Sequence, residues 1–348
     1  MARVFRIREC SSLYQAGLQV GKYAADTISV FLEDEIIKFI LDYTSTPDGK
    51  SLLRAQIASC MSLFPQMSEE VRGIAEGADV AESIIWALSF MSEILAHAKH
   101  KDMEHCSDVI VRNAEGCVVH GHTEDWNASW KELMYWVVYV PQDGTSFKPI
   151  GGLVYPGQAI GFAITFTSTL WTTQNSLHPK CFDSKGIPIV AAVRNALNED
   201  QYDATVSKLR SARVSLGACI QVVGRGGDAC SIETAPCMEG RKRLLGRDRY
   251  DMLTHFNHYV IGDDIVPHHC GPTTHSRANA VNALGRLSGE LDTLRAISIP
   301  GMTYNSTTMV TVVTTQQENG FRVKVWTSGS AISCAPDLEF TSSEYLTP

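Results

Sequence analysis

Two β-prone runs separated by a short polar turn constrain the fold of this chain more than any other feature of its sequence. The runs cover 106–111 and 117–126, and the turn between them, 113–116, contains one asparagine and one glycine. Such a turn between two strand-like runs predicts an antiparallel hairpin. The hairpin would bring Cys106, at the start of one strand, close to Asp125, near the end of its partner.

The pattern of apolar residues changes once along the chain, near residue 105. Before it, spacings of three and four residues predict helices over 28–40, 51–64, 71–77 and 82–95, with Asp79 and Glu82 as a capping box for the last. After it, strands are predicted at 136–140, 161–167, 218–223 and 309–313, and helices at 189–197, 204–212 and 277–287. Strands gathered around intervening helices favour stacked antiparallel sheets with helices outside them.

Composition excludes several classes of function. With 30 Lys and Arg against 38 Asp and Glu, the net charge is −8 and there is no basic run, so nucleic acid is not an expected partner. No uncharged apolar run reaches the roughly 18 residues of a membrane span, and the first residues lack the apolar core of a secretory signal. Ten cysteines without a Cys-x-x-Cys pair indicate reduced thiols. We therefore expect a cytoplasmic protein.

Cys106, at the start of the first predicted strand, would gain a base of its own if the chain were cut before it. If it became the first residue of a chain, its α-amino group, with a pKa of about 8, could accept the proton of its own thiol. Nucleophile and base would then belong to one residue. The alternative is that Cys106 is a buried structural cysteine and Asp125 a solvated loop carboxylate.

Several segments, taken in order, resemble a known family. They are the His105/Cys106 junction, 121–126 (GHTEDW), 155–157 (YPG), 175–177 (NSL), 194–197 (RNAL) and 254–259 (THFNHY). Together they resemble the N-terminal-nucleophile (Ntn) hydrolases of the acyl-CoA:6-aminopenicillanic acid acyltransferase type, which include insect N-β-alanyl-amine hydrolases. The resemblance extends from about residue 10 to residue 335.

The resemblance implies a fold and a way of maturing. The fold is an α+β, four-layer αββα sandwich with stacked antiparallel sheets. The chain would cut itself between His105 and Cys106, giving a helix-rich segment 1–105 and a segment 106–348 that begins with the nucleophile. The two pieces would remain together as a heterodimer that forms one domain, and no cofactor or metal is implied.

The resemblance also assigns roles to individual residues. Cys106 is the expected nucleophile, and Asp125, at the spacing found in the distant bile-salt hydrolases, is expected to orient the α-amino group. Asn175 is expected to donate a hydrogen bond to the oxyanion. Family members often carry a second asparagine in a later strand, but this sequence has Cys219 there.

Five further residues are candidates for the substrate or oxyanion site. His122 stands where bile-salt hydrolases carry an arginine, so it either tunes the charge of the site or only faces it. Asn257 is a possible replacement for the missing donor, and Arg277 a possible partner for a substrate carboxylate. Ser107 and Asp108 would shape the scissile bond or the acyl pocket.

Three kinds of function remain open at this stage. We favour hydrolysis of a small N-acyl amine, such as a β-alanyl conjugate, and the alternative enzyme is an N-acyltransferase that uses acyl-CoA. The second kind is a non-catalytic binding protein that kept the sandwich. The third is an unprocessed hydrolase with a Cys-His-Asp arrangement, which would require a histidine such as His258.

Overall fold

The structure is a computed structural model that describes residues 3–100, 106–236, 238–245, 252–263, 266–327 and 334–347. Of the two residues at the predicted cleavage junction, Cys106 is described, whereas His105 lies outside the described residues. The division of the chain into 1–105 and 106–348 therefore stays a prediction.

Strands and helices are numbered separately in chain order. The strands are β1 (Arg3–Cys10), β2 (Ser107–Arg112), β3 (Val118–Asp125), β4 (Tyr135–Pro141), β5 (Ile150–Val154), β6 (Ile164–Phe166), β7 (Leu170–Pro179), β8 (Gly217–Gly224), β9 (Ala229–Ala235), β10 (Met238–Leu244), β11 (Met252–His255), β12 (His268–His269), β13 (Thr308–Gln317), β14 (Gly320–Trp326) and β15 (Leu338–Thr341). The helices are α1 (Leu13–Leu32), α2 (Glu35–Ser45), α3 (Pro47–Leu63), α4 (Met67–Ala78), α5 (Glu82–Ser89), α6 (Met91–His97), α7 (Ile189–Ala196), α8 (Tyr202–Ser211), α9 (Thr274–Asn282), α10 (Glu290–Ala296) and α11 (Ser342–Leu346), with a 3-10 turn at Ala128–Trp130. Within the described ranges, no helix combines the length and apolarity needed to cross a membrane.

Two β-sheets form the centre of the molecule. The larger has the strand order β1-β4-β5-β6-β7-β8-β9-β10, with β12 beside β7, and the smaller has the order β11-β2-β3-β13-β14-β15. They pack face to face through aromatic side chains, since the rings of Trp171 and Phe321 lie 6.2 Å apart and those of Trp136 and Phe340 lie 5.5 Å apart.

Helices cover the outer faces of both sheets. Helices α7 and α8 share a buried apolar cluster with β8 and β9 of the larger sheet, and α1 contacts β1. Helices α9 and α10 share another cluster with β2, β3 and β13 of the smaller sheet. The predicted four-layer α+β sandwich of stacked, mainly antiparallel sheets is therefore confirmed.

The first strand was not predicted from the helical pattern before residue 105. Strand β1 pairs with β4 in parallel, from Arg3 opposite Tyr135 onward, whereas the other named strand pairs of the described residues are antiparallel. One strand from the helix-rich segment thus belongs to a sheet whose other strands all follow residue 105.

The boundaries of the helices in the first hundred residues differ from those predicted. The single helix expected over 28–40 is divided, because the side chain of Asp34 accepts a hydrogen bond from the amide of Ile36 and starts α2. Asp79 ends α4 in a left-handed conformation (φ 54°) and does not cap α5, so the predicted capping box is wrong. The helix expected over 82–95 is interrupted at Phe90.

Helices α1 and α4 cross in direct backbone contact. A Cβ added to Gly73 would lie 2.2 Å from the carbonyl oxygen of Tyr14, and one added to Gly17 would lie 2.3 Å from that of Glu70. Glycine is needed at this crossing because any side chain would force the helices apart. The crossing places Glu70, which pairs with Arg194 at 2.6 Å, in the buried interior.

Candidate active site

Strands β2 and β3 direct alternate side chains between the two sheets. Their register sets Asp108 opposite His122 and Ser107 opposite Thr123. Because side chains along a strand alternate between its faces, His120, His122 and Glu124 share the face that looks toward the larger sheet. The predicted hairpin is confirmed, and this inner face carries most of the polar side chains near Cys106.

Cys106 immediately precedes β2 and is buried, with 1% of its surface exposed. Its Sγ lies 3.7 Å from Oε2 of Glu124 and is placed to donate a hydrogen bond to it. Its carbonyl oxygen accepts a hydrogen bond of 2.7 Å from Nη1 of Arg277. Cys106 is therefore held by Glu124 through its side chain and by Arg277 through its main chain.

A continuous chain of hydrogen bonds leads away from Glu124. His122 donates from Nε2 to Glu124 and from Nδ1 to Asp108, each over 3.0 Å. Asp108 Oδ1 also accepts from Nε2 of His120 at 2.6 Å and from Thr173 of the larger sheet at 2.7 Å. This chain therefore connects the thiol to both sheets.

The position of His122 between two carboxylates determines its protonation. Burial opposes a charge on His122, but Asp108 and Glu124 raise its pKa to about 10. Burial alone would raise the pKa of Asp108, whereas the charge of His122 and the hydrogen bonds from both histidines hold it well below its ordinary value. Burial lowers the pKa of His120. At neutral pH, His122 is an imidazolium and His120 is neutral.

Asp125 lies on the opposite face of β3 from Glu124. Its Oδ2 accepts a hydrogen bond of 3.2 Å from Thr123, and its Oδ1 has no hydrogen-bond partner among the described residues. Burial raises its pKa to about 7, against hydrogen bonds from Thr308 and Thr123 and the charge of Arg277. Asp125 is therefore near Arg277, which binds the Cys106 carbonyl, and it keeps one acceptor atom available.

Arg277 is fully buried on α9 and contacts several protein groups. Besides Cys106, its guanidinium donates to Oγ of Ser107 at 3.1 Å and to Oδ1 of Asn257 at 2.9 Å. Asn257 in turn donates to the carbonyl oxygen of Ser176 on β7, at 3.0 Å. Arg277 and Asn257 thus connect the start of β2 to the larger sheet. The pairing of Arg277 with a substrate carboxylate stays a prediction.

Asn175 lies on β7, fully buried, directly opposite Cys219 on β8. Neither Nδ2 nor Oδ1 of its amide has a hydrogen-bond partner within the described part of the chain. A buried amide without a partner is costly in a folded protein and needs an explanation. Binding of an oxyanion by Nδ2 would supply that explanation. Cys219 has a thiol at the position where family members often carry the second asparagine.

A small cavity adjoins these groups, with a volume of about 20 Å³ and room for about one water molecule. Its walls come from α6, β3, β7, β8 and the start of α7. The lining side chains most relevant to chemistry are those of Glu93, Glu124, Phe162, Asn175, Ile189 and Leu216. The cavity therefore joins the carboxylate that contacts the thiol to the unpartnered amide.

Cys106, His122 and Glu124 also form a group that could hold a metal ion. One donor atom of each lies within 4.8 Å of the others. A thiolate, an imidazole and a carboxylate are ligands that zinc accepts, and the bond from His122 to Asp108 resembles the support usually given to a ligating histidine. In the structure, however, Oε2 of Glu124 already accepts hydrogen bonds from Sγ of Cys106 and Nε2 of His122.

Glu124 is a site residue that was not predicted from the sequence. The alternation that puts His120 and His122 on one face extends to Glu124, so the signal was present in the strand pattern. His258 was the histidine suggested for an unprocessed Cys-His-Asp site. In the structure, the imidazole that lies close to the Cys106 thiol is that of His122. Burial lowers the pKa of His258 to about 4.

Comparison with known proteins identifies one curated relative. The chain is 30% identical to the β-alanyl-dopamine/carcinine hydrolase of Drosophila melanogaster over 63% of its own length. It spans 58% of the length of that relative. No family model matches the sequence. Among solved structures, the Caenorhabditis elegans ortholog of N-acylethanolamine-hydrolyzing acid amidase is similar, with a TM-score of 0.48 and 16% identity over 60% of this chain and 92% of that one.

Proposed function

We propose that this chain is a cysteine amidohydrolase that cleaves the amide bond of a small N-acyl amine, such as a β-alanyl amine, through an acyl-cysteine on Cys106. One observation carries the proposal. The Cys106 thiol contacts Glu124, which lines the same cavity as the unpartnered amide of Asn175. The proton acceptor that contacts the nucleophile and the oxyanion donor then line the same cavity. The sequence similarity to a β-alanyl-dopamine/carcinine hydrolase supports the choice of substrate.

The first reaction of the proposed enzyme is on its own chain. The thiol of Cys106 gives its proton to Glu124, and the sulfur attacks the carbonyl carbon of residue 105. The C–N bond breaks, the nitrogen of Cys106 takes up a proton, and the acyl group moves from nitrogen to sulfur. Water then hydrolyses the thioester and leaves Cys106 with a free α-amino group. Glu124 is needed here because that nitrogen is tied in a peptide bond before cleavage.

The second reaction is on the substrate. The free α-amino group takes the thiol proton and Asp125 accepts a hydrogen bond from it, through the oxygen that has no partner among the described residues. The sulfur attacks the amide carbon, and Asn175 donates to the oxyanion. As the C–N bond breaks, the proton passes to the leaving amine. Water then attacks the thioester, which releases the carboxylic acid and restores the thiol.

The test compares wild type with Cys106→Ala and Asn175→Ala. We expect intact mass spectrometry to find wild type split between His105 and Cys106 and Cys106→Ala whole. With N-β-alanyl-dopamine as substrate, we expect Asn175→Ala to lower kcat by about 100- to 1000-fold, the usual cost of losing one oxyanion donor.

Other results would lead to different conclusions. An uncut wild-type chain that hydrolyses the substrate would favour an unprocessed cysteine hydrolase. An uncut, inactive chain that resists thiol alkylation would favour a binding protein. Faster release of free thiol from an acyl-CoA when an amine is present would favour the acyltransferase.

A further inference from the structure

A second buried carboxylate faces the cavity next to the site. Glu93, on α6, is 3% exposed and lines this cavity together with Glu124 and Asn175. Its Oε1 accepts a hydrogen bond of 2.9 Å from the amide of Ile189 and one of 3.5 Å from Oγ of Ser215. These neutral donors fix the position of the carboxylate without neutralising its charge.

Glu93 differs from Glu70, another buried glutamate, in having no cationic partner among the described residues. Glu70 is also buried, but its carboxylate is paired with the guanidinium of Arg194 at 2.6 Å. Among the described residues, Glu93 has no such cationic partner, and the residues that line its cavity include no lysine, arginine or histidine. A buried carboxylate without a cation is costly, and burial accordingly raises the pKa of Glu93.

The remaining walls of the cavity are mostly apolar and close together. Phe162, Ala163, Ile189 and Leu216 contribute to them, and the volume of about 20 Å³ holds about one water molecule. The group that fits this space is therefore a small terminal group, about the size of the water it replaces, and beside Glu93 a positively charged one is favoured.

We propose that Glu93 is the binding site for a primary ammonium group at the end of a short acyl chain, and so selects aminoacyl amides such as β-alanyl amides over neutral acyl amides. The inference rests on the proposed function, since the acyl carbon must reach Cys106. It goes further by assigning the acyl specificity to one residue of the segment before residue 105. The ammonium supplies the cation that the folded protein does not provide for Glu93.

The experiment uses two substrates of nearly equal shape, N-β-alanyl-dopamine and N-butanoyl-dopamine. They differ in that an ammonium group replaces a methyl group at the end of the acyl chain. The ratio of their kcat/KM values is measured for wild type, Glu93→Gln and Glu69→Gln. Glutamine keeps the oxygen that caps Ile189, and Glu69 is a glutamate on α4, away from the cavity, that serves as the matched control.

We expect wild type and Glu69→Gln to prefer the β-alanyl substrate. A hydrogen bond to a charged group contributes enough free energy that Glu93→Gln should lower this preference about 10- to 100-fold. The change should come mainly from a lower kcat/KM for the β-alanyl substrate.

Two results would overturn the inference while the proposed function stands. They are hydrolysis of both substrates by wild type without preference, and a preference that is unchanged in Glu93→Gln. The wild-type ratio decides the first even if Glu93→Gln does not fold. Hydrolysis of neither substrate by wild type would instead overturn the proposed function, and the inference with it.

Discussion

At the scale of single residues, the unusual group is His122, which lies between Asp108 and Glu124 with 1% of its surface exposed. A buried imidazolium is stable only because both neighbours are carboxylates. It also holds one oxygen of Glu124 toward the thiol of Cys106. His122 is therefore a positioning residue in the proposed mechanism, since it acts on the sulfur through Glu124.

The charge of His122 predicts a pH dependence of stability. Its pKa is raised from 6.5 to about 10 by folding, so its contribution is complete below pH 6.5 and is lost as pH rises toward 10. In urea unfolding of the uncut Cys106→Ala chain at pH 6, 8 and 10, we expect a steeper loss of stability than in the same chain with His122→Gln. Parallel losses in both chains would contradict a charged His122. Other groups, Asp125 included, titrate in both chains and cancel in the comparison.

The contact between Cys106 and Glu124 predicts a defect in self-cleavage. A general base contributes about 100- to 10,000-fold in rate, so Glu124→Gln should slow cleavage of the precursor by about that range. The cut fraction is followed over time by intact mass spectrometry. Glu132→Gln, which changes an exposed glutamate, is the control. Cleavage of Glu124→Gln at the wild-type rate would mean that the base is another group.

At the scale of strands and helices, the sequence patterns predicted six of the fifteen strands named above and missed the other nine, and spacing predicted the helix boundaries poorly. The hairpin of β2 and β3 could be predicted because its turn and its apolar pattern agree. The division between α1 and α2 was missed because it depends on one side-chain bond of Asp34, which does not disturb the apolar spacing. Strand β1 was missed because its pairing with β4 joins residues far apart in the sequence.

The site residues also divide into those that sequence motifs predicted and those that only the folded structure reveals. Cys106, Asp125 and Asn175 were proposed from motifs, and the strand register then set Glu124 beside the thiol and Asp125 on the other face. Glu93 could not be found from the sequence, because its cavity is formed only when α6 packs against β7 and β8. Local patterns contain no information about which buried carboxylate lacks a cation.

The crossing of α1 and α4 predicts a sharp loss of stability at one glycine. A methyl group at position 73 would meet main-chain atoms of Tyr14 and Leu18 at 2.2 and 2.7 Å, so the helices must separate. We expect Gly73→Ala to lower the free energy of unfolding by about 1–3 kcal/mol, the usual cost of overpacking. Urea denaturation measures it. Gly226→Ala, whose new methyl group has its nearest neighbour at 3.9 Å, should change stability by less than about 0.5 kcal/mol.

At the scale of the whole molecule, the residues before and after position 105 build one core. Buried side chains of α1, α4 and α5 belong to the same apolar cluster as those of β4, β5 and β14. Strand β1 adds main-chain hydrogen bonds to β4. This cluster is therefore complete only when both segments are present.

This shared core predicts how the cut protein behaves. We expect segments 1–105 and 106–348 to elute together in size-exclusion chromatography after self-cleavage, and to separate only in denaturant. Gel electrophoresis of the eluted peak under denaturing conditions would show two bands. Two separate peaks in native buffer would contradict the expectation.

The anchoring of Cys106 has a consequence for how the protein could be encoded. Arg277 holds the carbonyl of Cys106, and β3 holds the strand that follows, so both of these anchors lie downstream of residue 105. Two genes, one for each segment, would give the same enzyme without a precursor, once the initiator methionine in front of Cys106 is removed.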